Sequence, residues 1–407
     1  MYEIAVDFLC QHNDTLPKII ASTATVKNAD EQIKNLYNRK MLQFPPNGID
    51  FRDSFFAQIA SRDERPARTY IGMCENGGSI SDLLVRTYGT LSYIKALFKM
   101  QNKKDEIIDQ YYTIIGYFNA IRDLGASANI LQDRMDTHIN TLIKRKFKVL
   151  SEELGLTKSD IPYFNNEELT SRKTAKEIKD TLQRLEENYK QSGCYSYVLA
   201  SNMLSVGIDI NRLGLMTVYN QPKTNSEYIQ ATSRVGRQNP GVVIALYNTM
   251  RSRDKSHYEQ FGFYHKSFYQ YVEATSVTPF SEAAMAKALH CVFVAMVRLT
   301  IPKLGANHTA KYFSKNDPDV LNIKSFIINR ISELNPKSAK YAESILDEFM
   351  DIWEYYITIN SELCYIGKND GECCLLNSAE NTSNIDFPPI LNSLRNVEAS
   401  ANIYIKK

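Results

Sequence analysis

The stretch ASNMLSVGIDINRLGLMTVYNQPKTNSEYIQATSRVGR, residues 200–237, decides the predicted fold. The β-prone run Tyr195–Leu199 precedes it and leads into a loop of small residues that ends in Gly207-Ile208-Asp209. Leu213–Tyr219 is a second apolar run, as expected of a strand that is buried on both faces of a parallel sheet. The loop therefore follows the carboxyl end of a strand, where α/β sheets bind ligands.

Two residues of this loop suit a ligand. Gly207 lets the backbone turn sharply and approach a bound molecule closely. Asp209 offers a carboxylate that accepts from a ribose hydroxyl or holds a neighbouring arginine. The sequence leaves both roles of Asp209 open.

The segment Glu227–Arg237 carries Gln230, Arg234 and Arg237 at positions i, i+4 and i+7. On a helix this spacing places the three side chains on one face. A rigidly held arginine neutralises charge on a phosphate during its transfer, which contributes roughly 10³ to 10⁵ in rate. A solvated helix face with salt bridges is the alternative interpretation.

The two parts of this stretch resemble helicase motifs. ASNMLSVGIDI (200–210) resembles motif V of superfamily 2 helicases, and QATSRVGR (230–237) resembles motif VI. The resemblance implies that Ser201, a serine where many members carry threonine, touches a nucleic-acid phosphate. It also implies nucleotide contacts from a second RecA-like domain: Gly207 and Asp209 near the nucleotide, with Asp209 beside the ribose, and Gln230, Arg234 and Arg237 at the phosphates, the two arginines being catalytic.

A more specific resemblance covers most of the chain. The segments 213–237, 240–248 and 256–281 are similar to the large helicase of the DISARM phage-defence system. This resemblance implies ATP with Mg²⁺ as the energy source, DNA as the partner, single-stranded or duplex, and a task in antiviral defence beside other subunits.

The segment Pro17–Thr25 reads as a strand that feeds a loop of small hydroxyl residues, and a helix follows over Ala29–Asn38. Placed upstream of motifs V and VI, the loop resembles helicase motif III. Residues 1–60 are then the remnant of a first RecA-like domain, entered beyond its phosphate loop. By this resemblance Ser22, Thr23 and Thr25 couple the nucleotide site to the nucleic-acid track, whereas the alternative is a polar turn that caps the helix.

No G-x-x-x-x-G-K-[ST] loop occurs in the 407 residues, so the lysine and backbone amides that grip the β and γ phosphates are missing. Asp347-Glu348-Phe349-Met350 resembles a helicase acidic box, but it falls in a helical pattern after motif VI. We therefore expect these residues to need a missing N-terminal lobe for ATP hydrolysis. A non-catalytic nucleic-acid-binding or assembly module, or one half of a split helicase, stays open as the alternative.

The expected fold class is α/β, with a RecA-like parallel sheet followed by a mainly helical C-terminal domain. Residues 61–79, which contain Gly72, Gly77 and Gly78, are expected to be a linker, and residues 80–250 the second RecA-like domain. Its first strand is predicted over Gln110–Phe118 and its closing strand over Gly241–Tyr247. Residues 251–407 are expected to form a helical extension.

Further nucleic-acid contacts are predicted in the second domain. Arg122 lies near the carboxyl end of its first strand, although a salt bridge to Asp123 is the more ordinary interpretation. Ser171 and Arg172 precede a helix predicted over Ala175–Tyr189, and backbone amides at the start of a helix can bind a phosphate. The two residues also resemble helicase motif IVa.

The aromatic residues of Arg251–Glu273 are interleaved with basic ones, a pattern compatible with the stacking of single-stranded bases. Several of them also repeat at helical spacing, which favours a core stripe. The residues of that repeat are Tyr258, Phe261, Phe268 and Tyr271.

Composition bounds the remaining possibilities. The net charge of +2 predicts no partner by itself, so any nucleic-acid surface must be a local patch. The seven scattered cysteines favour a reducing cytoplasm. We expect no metal site, because the cluster of Cys364, Cys373 and Cys374 lacks ligand spacing. The apolar stretch Ala283–Ile301 is interrupted by Lys287, His290 and Arg298, which favours a buried helix over a membrane span.

Overall fold

The computed structural model describes residues 1–367, 373–376, 387–388 and 390, apart from gaps at 14, 24–25, 47, 51–52, 55, 62, 65–66, 76, 162–164, 206–208 and 275–276. They form two compact units. The sheet unit is Pro45–Glu273, and the helical unit joins Met1–Phe44 to the described residues from Ala274 onward.

Eight strands are defined among the described residues. In chain order they are β1 Asp53–Ser54, β2 Ala57–Gln58, β3 Arg68–Cys74, β4 Ile114–Phe118, β5 Asn166–Leu169, β6 Tyr197–Ala200, β7 Leu215–Tyr219 and β8 Gly241–Tyr247. β1 and β2 form an antiparallel pair. The other six strands form one sheet in the order β3-β8-β7-β4-β6-β5, and every neighbouring pair runs parallel.

The α-helices, in chain order, are α1 Tyr2–Leu9, α2 Ala29–Tyr37, α3 Ile80–Met100, α4 Asp105–Tyr112, α5 Ile121–Thr141, α6 Lys148–Glu153, α7 Ala175–Glu186, α8 Asn225–Thr232, α9 Ser252–Glu259, α10 Phe261–Ser267, α11 Glu282–Thr300, α12 Pro318–Ser332 and α13 Pro336–Ile359. Short 3₁₀ turns lie at Lys158–Asp160, Asn202–Ser205, Pro302–Leu304 and Asn307–Tyr312, and a π-helical turn lies at Leu142–Lys146.

The sheet is buried on both faces, as its apolar runs predict. Along β4, Ile114 and Phe118 pack into one core with α3 and α5. The intervening Ile115 and Tyr117 pack into a second core with α7 and α8. This alternation follows from the two-residue period of a strand, and it confirms the α/β class with helices on both faces.

The expected linker at 61–79 contributes an edge strand instead. β3 pairs with β8 along its whole length, from Arg68 opposite Gly241 to Cys74 opposite Tyr247. Only one side of β3 has a neighbour, and Thr69 and Ile71 point toward solvent. Because β3 is partly exposed to solvent, its sequence does not need the continuous apolar run that is found in β4 and β7.

The first strand of the domain is shorter than expected. Gln110–Tyr112 forms the last turn of α4, and β4 begins at Ile114. The Gly214 amide donates to the carbonyl oxygen of Gln110 at 2.8 Å, so this turn is anchored to the segment before β7 and not to a sheet neighbour.

Residues 251–273 belong to the sheet unit and not to the helical extension. The Asn225 amide, at the start of α8, donates to both carboxylate oxygens of Glu273 at 2.9 and 2.8 Å. The expected core stripe is only partly formed, because Phe268 is buried whereas Tyr258 and Tyr271 are exposed.

The helical unit consists of α1, α2, α11, α12 and α13. Trp353 lies fully buried at its centre, donates from Nε1 to the Ala310 carbonyl at 2.9 Å and stacks on Phe313. The helix α11 is long and apolar enough to cross a membrane, and its Met285 and Phe293 are buried in this core. As predicted, Asp347–Met350 is helical and lies in α13. Asp347 is exposed and pairs with Lys324 at 2.7 Å, whereas Phe349 and Met350 are buried in the core.

The strand predicted for Pro17–Thr25 is wrong over the part that is described. Residues 16–23 are neither helix nor strand, and residues 24–25 lie outside the described residues. Ile20 is 89% exposed, and no described strand pairs with this segment. A β-prone sequence forms no strand without a neighbour that accepts its backbone hydrogen bonds.

A buried lysine lies under the sheet. Lys95 of α3 is 4% exposed, and its Nζ donates to the Ser196 carbonyl at 3.0 Å, just before β6. Burial lowers the pKa of Lys95 to about 7. In the unfolded chain the pKa returns to its ordinary value near 10.5. Between these pH values the unfolded state binds more protons, so stability rises with pH.

We predict that Lys95→Met removes this pH dependence. After this substitution the Ser196 carbonyl still accepts a hydrogen bond from the Ile114 amide, at 3.1 Å. Between pH 7 and 9, below the titration of the buried tyrosines, the free energy of unfolding of the unmodified chain should rise relative to the variant, by up to about 1.4 kcal/mol per pH unit. Urea unfolding at pH 7, 8 and 9 measures it, with Lys103→Met, at an exposed lysine, as the control. If the free energies of unfolding of the unmodified chain and of Lys95→Met change equally between pH 7 and 9, Lys95 keeps its charge on folding and the prediction is wrong.

Candidate functional site

The arginines of the candidate site lie in a turn and not on a helix. α8 ends at Thr232, so Gln230 belongs to the helix, whereas Arg234 and Arg237 follow it. The prediction that all three side chains share one helix face is therefore wrong. Gly236 adopts φ +65°, a left-handed conformation that ends helical geometry and favours glycine.

Two hydrogen bonds fix this turn, which spans residues 233–237. Arg68 Nε of β3 donates to the Val235 carbonyl at 2.7 Å, and the Gly236 amide donates to the Leu213 carbonyl at 2.8 Å. A Cβ at Gly236 would lie 2.6 Å from Cα of Gly241, the first residue of β8. The turn is thus pressed against the backbone at the start of β8.

Arg237 leaves this turn to form an ion pair with Asp209. Both side chains reach solvent, with 33% of Arg237 and 68% of Asp209 exposed. Of the two roles that the sequence left open for Asp209, the structure contains the pairing with an arginine. The predicted Gly207 lies outside the described residues.

Gln230 and Arg234 are half-buried. Burial lowers the pKa of the Arg234 guanidinium below its ordinary value. The backbone of α8 is closed at this point by Ser233, whose hydroxyl donates to the Gln230 carbonyl at 2.8 Å. The half-buried Gln230 and Arg234 thus precede the exposed Arg237 along the chain.

The turn lies at the amino edge of the sheet. α8 begins after the carboxyl end of β7, and the turn immediately precedes β8, which runs parallel to β7. The chain has therefore crossed the sheet from one edge to the other.

The predicted nucleic-acid contacts gather at the opposite edge. Arg122 follows β4, Ser201 directly follows β6, and Ser171 with Arg172 follows β5. Since these strands are parallel neighbours in the order β4-β6-β5, their carboxyl ends share one edge. The structure thus brings together residues that are distant in the sequence.

Their accessibility differs. The Arg122 side chain is 88% exposed and forms the expected salt bridge with Asp123, at 3.8 Å, and Arg172 is also exposed. Ser201 is buried, and its hydroxyl donates to Asn202 Oδ1 at 3.4 Å. Ser171 is half-buried, and Thr174 is the residue that caps α7, accepting from the Glu177 amide at 3.3 Å.

The predicted coupling residues belong to the helical unit. Ser22 and Thr23 are exposed there, and Thr25 lies outside the described residues. Among the described residues, no group of three or more histidine, cysteine or acidic side chains is placed to hold a metal.

Sequence reasoning missed one residue that shapes the carboxyl edge. Asp254 of α9 is 3% exposed and accepts from the Gln221 amide at 3.2 Å and from the Asn248 amide at 3.1 Å. It therefore ties the segments that follow β7 and β8, and burial raises its pKa. No local pattern marks this aspartate, because its partners lie on other segments.

Residues 127–239 match the family described as helicase conserved C-terminal domain. This part of the chain is therefore similar to a helicase C-terminal domain. The match begins in α5 and ends just beyond Arg237, so it contains the Asp209–Arg237 pair.

A longer likeness covers nearly the whole chain. The chain is 37% identical over 400 residues to DISARM protein DrmA of Bacillus paralicheniformis. The alignment takes in 96% of this chain but only 34% of the relative, so the chain spans about a third of that protein's length. The expected resemblance to the DISARM helicase is confirmed.

Solved structures of helicases show weaker likeness. The DUF1998 helicase MrfA bound to DNA and AMPPNP is 14% identical, with a TM-score of 0.40, 66% of this chain and 30% of that chain covered. The Mycobacterium smegmatis helicase Lhr bound to ssDNA and AMP-PNP is 13% identical, with a TM-score of 0.36, 58% of this chain and 27% of that chain covered. The likeness to a helicase C-terminal domain rests on the sequence match of residues 127–239.

We predict that Gly236→Ala destabilises the helicase C-terminal domain by about 1–3 kcal/mol, because alanine resists the left-handed conformation and its Cβ meets Gly241. Gly125→Ala is the matched control. Gly125 lies inside α5, where a Cβ meets nothing within 4 Å, so this change should stabilise by roughly 0.5–1 kcal/mol. Urea unfolding monitored by circular dichroism measures both, and equal stability of Gly236→Ala and the unmodified chain would contradict the strain at the turn.

Proposed function

We propose that this chain supplies the C-terminal part of an ATP-dependent superfamily 2 DNA helicase or translocase that acts in DISARM-type defence against phage. The observation that carries the proposal is the Asp209–Arg237 ion pair. It joins the stretch that resembles motif V to the one that resembles motif VI, inside the helicase C-terminal domain.

The donor set at the turn suits nucleotide phosphates. Arg234 and Arg237 supply planar guanidinium donors that match phosphate oxygens, and Gln230 adds an amide. In the proposed motor these residues contact the phosphates of ATP, and Asp209 orients Arg237. When the cleft between two lobes closes, an oriented arginine stabilises charge on the transferring phosphate.

The other half of the nucleotide site must come from elsewhere. No phosphate loop occurs in these 407 residues, and among the described side chains no acidic cluster suits Mg²⁺. We propose that a lobe bearing a phosphate loop supplies both functions. These residues on their own then hydrolyse no ATP.

The segment around Ser22 and Thr23 supports a missing lobe. Ile20, Leu42 and Phe44 are 89%, 93% and 72% exposed. Ile20 precedes α2, whereas Leu42 and Phe44 follow it. Large apolar side chains exposed to this degree are compatible with an interaction surface. We propose that the segment around Ser22 and Thr23 joins the missing lobe, where Ser22, Thr23 and Thr25 couple nucleotide and DNA.

The proposed DNA track is the carboxyl edge of the sheet. Arg122 and Arg172 are exposed there and follow neighbouring strands, so both are placed to meet the DNA backbone. Ser171 adds a hydroxyl beside Arg172. Ser201 contributes only if its hydroxyl leaves Asn202, because the residue is buried.

The absent phosphate loop favours a second candidate: a module that binds nucleic acid or assembles a complex without catalysis. One half of a split helicase would have the same sequence. A neighbouring reading frame that encodes a phosphate loop and an acidic box favours the split or truncated motor, and no such frame favours the module. In each case we place the protein in the cytoplasm.

We predict that Arg122→Ala and Arg172→Ala each weaken binding of single-stranded DNA and lower the slope of log Kd against log salt by about 0.7, since each loses one phosphate contact. Fluorescence anisotropy across a salt series measures this. Lys190→Ala is the matched control, because it removes one positive charge near the amino end of β6, at the opposite edge.

An unchanged slope for both edge variants would contradict the proposed track. An equal loss for Lys190→Ala would assign the effect to overall charge. Tight DNA binding that depends on Arg122 and Arg172 is compatible with both the motor and the module. The presence or absence of a neighbouring reading frame with a phosphate loop separates these two candidates.

A further inference from the structure

The buried thiols of Cys364 and Cys374 lie against each other in the helical unit. Their sulfur atoms are 3.7 Å apart, and the residues are 2% and 5% exposed. Neither has formed a disulfide.

Backbone hydrogen bonds hold the two cysteines in register. The Leu375 amide donates to the Cys364 carbonyl at 2.9 Å, and the Cys364 amide donates to the Cys373 carbonyl at 3.2 Å. Cys364 and Cys374 are thereby partners in a parallel β-bridge. Strand partners lie about 5 Å apart, within the range of about 4.4–6.8 Å between Cα atoms that a disulfide allows.

The surroundings favour pairing of these two residues in particular. Leu363, Tyr365 and Leu375 flank them and are fully buried in the core of the helical unit. The flanking side chains fix both segments, so neither cysteine needs to move far. Cys373 is half-buried and precedes the bridge partner, so it is the thiol of Cys374 that lies against Cys364.

We propose that Cys364 and Cys374 form a reversible disulfide that closes a loop within the segment after α13, at a point where this segment is buried in the core of the helical unit. A disulfide oxidant such as oxidised glutathione completes the chemistry. One thiolate attacks the glutathione disulfide and releases one glutathione thiolate, and the second cysteine then displaces the other. Two electrons pass from the cysteine pair to glutathione, and the two thiol protons go to the released thiolates.

The proposal is independent of helicase activity. In a reducing cytoplasm the pair stays as thiols, and oxidation closes the link. A covalent link within the core restricts the unfolded chain, so the oxidised form should resist unfolding more strongly than the reduced form.

The test is thiol mapping of the full chain in glutathione buffers of increasing oxidised fraction. Samples are quenched in acid, denatured, alkylated with N-ethylmaleimide and digested for mass spectrometry. We expect five of the seven thiols to remain alkylatable and one linked peptide to join Cys364 to Cys374. The midpoint of urea unfolding should rise on oxidation and return with dithiothreitol.

Two variants and a control sharpen the result. Cys364→Ser and Cys374→Ser should each abolish the linked peptide and the midpoint shift. Cys10→Ser, at an exposed cysteine, should leave both intact. Thiol mapping of the unmodified chain tests the proposal even if a variant fails to fold. A linked peptide in which the sulfur of Cys373 is bonded in place of that of Cys364 or Cys374 would overturn the proposal. So would a folded chain that keeps all its thiols under conditions in which the urea-unfolded chain becomes oxidised.

Discussion

The packing of the turn at 233–237 against the start of β8 is the constraint on which the candidate site depends. Gly236 fits there only because it has no Cβ and adopts a left-handed conformation. Arg68 and Leu213 then hold the turn from β3 and from the segment before β7. The backbone of the turn positions Arg237 beside Asp209. Arg68 makes the edge strand β3 part of the site.

This arrangement divides the sheet into two edges with different chemistry. The amino edge carries the turn, with its phosphate-type donors and its ion pair. The carboxyl edge carries exposed arginines after neighbouring strands, and the buried Asp254 stabilises the segments beside them. In the proposed motor, the edges would serve the nucleotide and the DNA. Movement of the domain as one body would then link the two ligands.

Much of the fold was predictable from the sequence, because strands buried on both faces appear as apolar runs. β7 and β8 were found in this way, and β8 within its observed bounds. The edge strand β3 was missed because one of its sides meets solvent. The spacing of Gln230, Arg234 and Arg237 fits a helix equally well whether or not the helix continues. That α8 ends at Thr232, and that the left-handed Gly236 then packs against the start of β8, is visible only in the structure. Contacts between distant residues hold 251–273 to the sheet unit, among them those of Glu273 with Asn225 and of Asp254 with Gln221, and no local pattern reports them.

ATP hydrolysis by the purified chain, with and without single-stranded DNA, tests the central claim most directly, with Arg237→Ala measured beside it. The account predicts no turnover above the protein-free rate in any of these samples, because these residues hold the arginine side of a nucleotide site and no phosphate loop. Turnover by the chain alone that Arg237→Ala abolishes would contradict the account, since a complete nucleotide site would then exist within these residues.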